Sequence, residues 1–364
     1  MQSHSPHNRR IPGYDILRII AILAVVSIHV LMRYRDSAAA TDPVSIADSL
    51  LHFAVPVFFF VTGALVWGTG RGTDGYLRFL GKRARVILIP YCAWSAVYLT
   101  ISAQGSDWTH VLVRLPILLL TGKAWYHLYF IPTLFLFYAL GPILYPLVRR
   151  RPEVLVVLAY AVRIFCVSAG TKLVGALGGP LVATLATVVL THLSDVSLGA
   201  WFAVRRDTVI PWLTRLWPLL ISSGMALLAV RQLSLLPGTW YSLVLRLVVP
   251  LGMALVTLGL AGLAFWIHPT AQIRHRLARL GELTFGVYLM HPLFVLALNA
   301  STAALGIEHL WSNGWFTVAS IACVTLASFS VSLVLDLSPR TSWLVGGRRH
   351  RQTPAPAPGQ VVSR

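Results

Sequence analysis

Acidic residues are scarce in this sequence. Twelve Asp and Glu stand against 30 Lys and Arg, and charged residues make up 12% of the 364-residue chain, about half the share of a soluble domain. Apolar residues fill the difference at 56%, more than a water-soluble core can hide. Cysteine is almost absent. Cys92, Cys166 and Cys323 each fall inside an apolar run without a close partner, which excludes a disulfide framework or a Cys-based metal site and reads as three inert core residues. Histidines such as His52, His192 and His268 show no HExxH or comparable spacing, so no metal site is expected. A Gly-rich phosphate loop, a matching pair of halves and an extramembrane domain are also missing. Arg9 and Arg10 precede an apolar stretch in the manner of a signal peptide. That stretch runs from Ile11 to Met32 and meets Arg33 without a small-residue cleavage site, so it is expected to stay as a first span.

What the chain does have is a series of apolar runs, each able to cross a hydrocarbon layer of about 30 Å. Windows and breakers place spans near 11–32, 46–68, 86–103, 124–147, 153–169, 183–204, 211–230, 241–265, 283–305 and 314–336. The formal charge of +18 would suggest a nucleic-acid partner in a soluble protein. Here the basic residues punctuate the apolar runs, so they set topology and no nucleic acid is expected. Lys and Arg cluster in alternate segments: Arg9 and Arg10, Arg78 to Arg85, Arg149 to Arg151, Arg205 and Arg206, Arg274 to Arg279, and Arg348 to Arg351. An odd number of spans would break that alternation. The expected fold is an all-α polytopic membrane bundle of about ten transmembrane helices with both termini cytoplasmic. Residues 1–10 form the N-terminus, 11–336 the membrane domain and 337–364 a Pro-rich disordered tail. Val111 to Leu120 is apolar but too short to cross and reads as a re-entrant or interfacial segment.

Ionisable groups inside spans are costly, and their default reading is functional. The first span carries the densest set: Tyr14, Asp15, Arg18 and His29. Asp15 and Arg18 share a helical face where carboxylate and guanidinium pair. His29 follows Arg18 by 11 residues, about 16 Å along the axis and close to the same face. A cation near one end and an imidazole toward the other suit two ends of one extended ligand, the Arg on phosphate oxygens and the His on a hydroxyl. An interfacial Arg that reaches lipid headgroups and a packed His fit the span equally well.

Tyr14-Asp15-Ile16-Leu17-Arg18, ten residues and then His29 resembles the first-helix signature of the acyltransferase-3 family of integral membrane acyltransferases. Further segments match in family order: Val55 to Gly63, Lys82-Arg-Ala-Arg85 with Ile89-Pro90-Tyr91, His127-Leu-Tyr-Phe-Ile-Pro132 with Tyr138 and Pro142, and Phe285 to His291 with Pro292. Together they run from about residue 11 to 336. The family's usual Trp in the fourth-span motif is Tyr129 here, with Trp125 nearby. The resemblance implies a multi-pass protein of the cell membrane. It would transfer an acyl group, usually acetyl from cytoplasmic acyl-CoA, to a hydroxyl of a glycan, a lipid-linked sugar or another small acceptor, with no tightly bound cofactor. It assigns His29 as the catalytic histidine and Arg18, beside Asp15, as a donor-binding or essential structural residue. His29 is suited to deprotonate the attacking hydroxyl, and a covalent acyl-histidine is the other route.

A basic cytoplasmic loop with Lys82, Arg83 and Arg85 is expected to receive the CoA phosphates, while topology signalling suffices for Arg78. His127 and Trp125 read either as acceptor contacts or as interface anchors. His291 and Glu282 read as chamber-lining residues, Glu282 alternatively as an acid favoured at a helix N-terminus. Asp195 is a lone acid in the sixth span, with Arg163 or Arg246 as possible partners or a pathway role of its own. The rival from another class is a secondary transporter of a small acidic or acylated metabolite.

Overall fold

The computed structural model describes residues 10–35, 43–68, 75–103, 108–165, 171–230 and 244–347. The expected N-terminal segment up to residue 9, Cys166 and the tail from 348 onward lie outside the described residues. All regular structure among the described residues is helical. The main helices are α1 (Pro12–Arg35), α2 (Pro43–Leu51), α3 (Ala54–Thr62, continued by a π-helical segment Gly63–Trp67), α4 (Tyr76–Ser102), α5 (Trp108–Thr121), α6 (Phe130–Arg150), α7 (Pro152–Phe165), α8 (Thr171–Val204), α9 (Arg206–Val230), α10 (Val249–Trp266), α11 (Ala271–Ala304) and α12 (Gly314–Leu337). A helix satisfies its own backbone, which is why apolar runs in hydrocarbon adopt this form.

Nine segments among the described residues are long and apolar enough to cross a membrane, and they match nine of the ten expected spans. The remaining one, expected at 153–169, is α7, a helix of 14 residues, with the last part of that range outside the described residues. α5 is the short apolar helix anticipated before the fourth span.

Several boundaries differ from the hydropathy reading, for one reason. Apolarity marks only the part of a helix in hydrocarbon, whereas the hydrogen-bond ladder continues until a breaker stops it. α4 begins at Tyr76, after Gly75 at φ 68°, so Lys82, Arg83 and Arg85 sit on a helix and not in a loop. α11 begins at Ala271, with the Thr270 hydroxyl accepting from the Ile273 N–H, so Glu282 lies in a helix interior. The reading of Glu282 as a helix-start acid is thereby corrected. α6 starts only at Phe130, and Trp125 and His127 precede it in a run of turns. Cys92 and Cys323 are exposed and not in the core, since a small apolar side chain is equally stable against lipid.

The helix α1 lies at the centre, packed against α2, α3, α10, α11 and α12. Elsewhere the helices approach through small residues, as membrane helices do. A Cβ on Gly63 would stand 1.8 Å from the Val196 carbonyl oxygen, and one on Gly199 would stand 1.9 Å from that of Phe60. α3 and its π-helical extension therefore lie backbone to backbone against α8. Gly224 and Gly252 do the same for α9 and α10.

Candidate active site

The polar groups of α1 fall into two clusters along its length. At its start, Asp15 is 1% exposed and accepts two hydrogen bonds from Arg10, at 2.7 Å from Nε and 2.9 Å from Nη2. Arg18 adds a third at 3.1 Å from Nη1. The same Arg10 donates to Glu282 Oε1 at 2.5 Å and to the Ala278 carbonyl at 2.7 Å, which ties the chain entering α1 to α11. Gly281 makes this possible, because a Cβ there would meet Asp15 Oδ1 at 2.7 Å. The Asp15 hydrogen bond does most to raise the Arg10 guanidinium above its ordinary value, against a desolvation that lowers it. Arg10 therefore stays a cation.

Arg18 spends one nitrogen on Asp15 and keeps 30% of its side chain exposed. Arg83 and Tyr138 lie within electrostatic range of it. The Arg83 guanidinium lies 5.3 Å from the Phe79 ring centroid and 5.6 Å from that of Tyr138, where a cation is held by the ring faces. Lys82 and Arg85 are exposed. On a helix, residue 85 lies nearly opposite residue 83, so α4 turns Arg83 toward Arg18 and Arg85 away from it.

At the other end of the span, three imidazoles converge. The His29 ring stacks on His291 with centroids 5.1 Å apart and an interplanar angle of 24°. His127 stands edge-on to His291 at 5.3 Å. Tyr126, 4.7 Å from His29 and 48% exposed, forms the outer edge, and Trp125 stacks on Tyr98 at 5.0 Å. The turn that delivers Trp125, Tyr126 and His127 needs Gly122, which has φ 70° and would place a Cβ 2.2 Å from the Tyr129 Cα. One phenol then fixes it against α11, Tyr288 donating to the His127 carbonyl, while Tyr98 of α4 donates to the Leu289 carbonyl of α11 at 2.6 Å.

These rings are poorly satisfied. His29 Nδ1, both ring nitrogens of His127, His291 Nε2 and Trp125 Nε1 are buried without a hydrogen-bond partner among the described residues. Buried polar atoms are normally paired, and this grouping of orphans makes the imidazole cluster the candidate site for a polar ligand. No group of three or more His, Cys, Asp or Glu side chains among the described residues is arranged to hold a metal ion.

Residues 11–336 match the acyltransferase-3 family model, described as an acyltransferase domain. The chain belongs to the acyltransferase-3 family. No curated protein and no solved structure matches it. As a membrane acyltransferase, it brings into one aromatic cluster four of the residues singled out from the sequence, His29, Trp125, His127 and His291. Arg18, Asp15, Arg83 and Glu282 collect in the other cluster, where Glu282 pairs with Arg10.

The sequence reading missed Arg10, which lies before the first span and passes for a topology charge. It also missed Tyr98 and Tyr288, which carry no charge to draw notice, although Tyr288 stands three residues before His291 on the same helical face. His52, set aside for want of ligand spacing, lies within electrostatic range of His29. Asp195 pairs with Arg163 at 3.1 Å and with His192 Nδ1 at 2.9 Å, so of the two candidate partners Arg163 is the one that binds it. His192 in turn stacks on Phe59, whose ring packs on Phe130, and Phe130 packs on Tyr288. This buried network of the acyltransferase thus connects to the imidazole cluster through a chain of aromatic rings.

Proposed function

We propose that the chain transfers an acyl group, acetyl in the simplest case, from a cytoplasmic acyl-CoA to a hydroxyl of a glycan, a lipid-linked sugar or another small acceptor. The observation that carries this reading is the two-cluster geometry of α1. A cationic end with a partly exposed Arg18 beside Arg83 suits the phosphates of CoA, and an imidazole chamber about 16 Å along the same helix suits the thioester and the acceptor.

In this reading the Arg10 end of α1 faces the cytoplasm, the side on which basic clusters are enriched. His29 takes the proton of the acceptor hydroxyl as its oxygen attacks the thioester carbonyl. The C–S bond breaks, and the thiolate of CoA recovers the proton. Donors in the chamber, with Trp125 Nε1 a group that can only donate, stabilise the oxyanion that develops on the carbonyl. Asp15 holds Arg18 in place, and Arg10 holds Asp15.

Membrane vesicles of opposite orientation test the reading, since acetyl-CoA does not cross a bilayer. Labelled acetyl-CoA added outside inside-out vesicles that carry the chain should give labelled glycan or lipid-linked product, and right-side-out vesicles should give none. Absence of product from both preparations, in membranes shown to contain acceptor, would reject acyl transfer. Product from right-side-out vesicles would reject the cytoplasmic donor site.

A further inference from the structure

In an unbroken α-helix the carbonyl of residue 288 accepts the N–H of residue 292. Residue 292 of α11 is proline, which has no N–H, so the Tyr288 carbonyl is left to another donor. His291 supplies it: Nδ1 lies 2.9 Å from the Tyr288 oxygen and 3.2 Å from that of Val287. Both neighbours are carbonyls and can only accept. The hydrogen therefore sits on Nδ1, and in the neutral ring Nε2 is left bare. His291 is 0% exposed, its Nε2 has no partner among the described residues, and its ring stacks on His29.

We propose that Pro292 fixes His291 as the Nδ1–H tautomer and so makes Nε2 an obligate hydrogen-bond acceptor, which grips an O–H or N–H of the acyl acceptor and positions it beside His29. The proposal rests on the acyl-transfer reading above for its ligand, but not for the tautomer. Nδ1 of His29 shows no such anchor. With Nδ1 of His29 unpartnered, its hydrogen can change place, which suits a residue that takes and returns a proton. His291 is the fixed point of the three. An acceptor that satisfies the site brings a second donor besides the hydroxyl that reacts.

The tautomer can be read without turnover. Protein labelled with 15N-histidine in nanodiscs, with the His291 signals assigned by difference from His291→Gln, should show the Nδ1–H form. Pro292→Ala returns an N–H to the Tyr288 carbonyl and should abolish that preference. An Nε2–H ring in the wild type, or an unchanged His291 in Pro292→Ala, would overturn the proposal.

Labelled acetyl transfer to a lipid and glycan extract supplies the second arm and stands even where Pro292→Ala does not fold. His291→Gln, whose amide oxygen reaches toward the place of Nε2, should retain a measurable share of transfer. His291→Leu should fall about tenfold further, the effect of one lost hydrogen bond, with acetyl-CoA binding unchanged in both. Transfer by His291→Leu equal to wild type removes the gripping role. Absence of transfer by every protein, wild type included, refutes the acyl-transfer reading and that role with it, and the tautomer result tells this outcome apart from a free His291.

Discussion

Asp15 serves two cations, and that decides what each can do. Arg10 grips it with a two-point fork and Arg18 with a single nitrogen, so Arg18 is the one left with donors for a ligand. Arg18→Lys keeps the charge and loses the fork. It should bind acetyl-CoA more weakly than wild type but better than Arg18→Ala, and equal binding by all three in calorimetry would show that Arg18 does not hold the donor. Arg10→Ala frees Asp15 to draw Arg18 onto itself and should weaken acetyl-CoA binding by about tenfold, one charge-assisted hydrogen bond's worth; unchanged binding would contradict the arrangement. The motif residues Arg18 and His29 were legible because their spacing is a signature. Arg10 was not, since a basic residue at the edge of a span reads first as a topology signal, and only the fold shows it bridging to Glu282.

Helices, more than side chains, decide which of the expected groups meet. A basic loop over residues 82–85 would have offered all its cations to one ligand, whereas a helix offers Arg83 and turns Arg85 away. The existence and order of the spans were legible from apolar runs. Their ends were not, because the ladder of α4 and α11 continues past the apolar window. Close approach of α3 and its extension to α8 was also invisible, since it depends on where Gly63 and Gly199 face. Gly63→Ala puts a methyl 1.8 Å from the Val196 oxygen and should cost about 1–3 kcal/mol or more by overpacking, seen as a lower Tm in detergent. An unchanged Tm would mean that the helices are further apart. Between α7 and α8 the Arg163–Asp195 pair is buried on both sides, with 7% and 3% of the side chains exposed. Asp195→Leu alone leaves a buried cation and should cost about 3–5 kcal/mol, while Arg163→Met with Asp195→Leu should recover much of it. Equal loss in the single and double variants would assign the network a role beyond pairing.

Across the whole molecule, the alternation of basic clusters and the course of α1 support one orientation. A protease-sensitive tag placed after Val361 should stay protected in intact cells; external cleavage would reverse the orientation and put the Arg18 cluster on the wrong side for a cytoplasmic donor. The central claim is narrower than topology: acyl transfer takes place at His29. The measurement that tests it most directly is transfer from radiolabelled acetyl-CoA by purified protein in nanodiscs to a panel of glycans and lipid-linked sugars, beside His29→Ala. Labelled product from the wild type and its loss by at least a hundredfold in a folded, acetyl-CoA-binding His29→Ala protein is the predicted result, about the contribution of a general base. Full transfer by His29→Ala would contradict the mechanism.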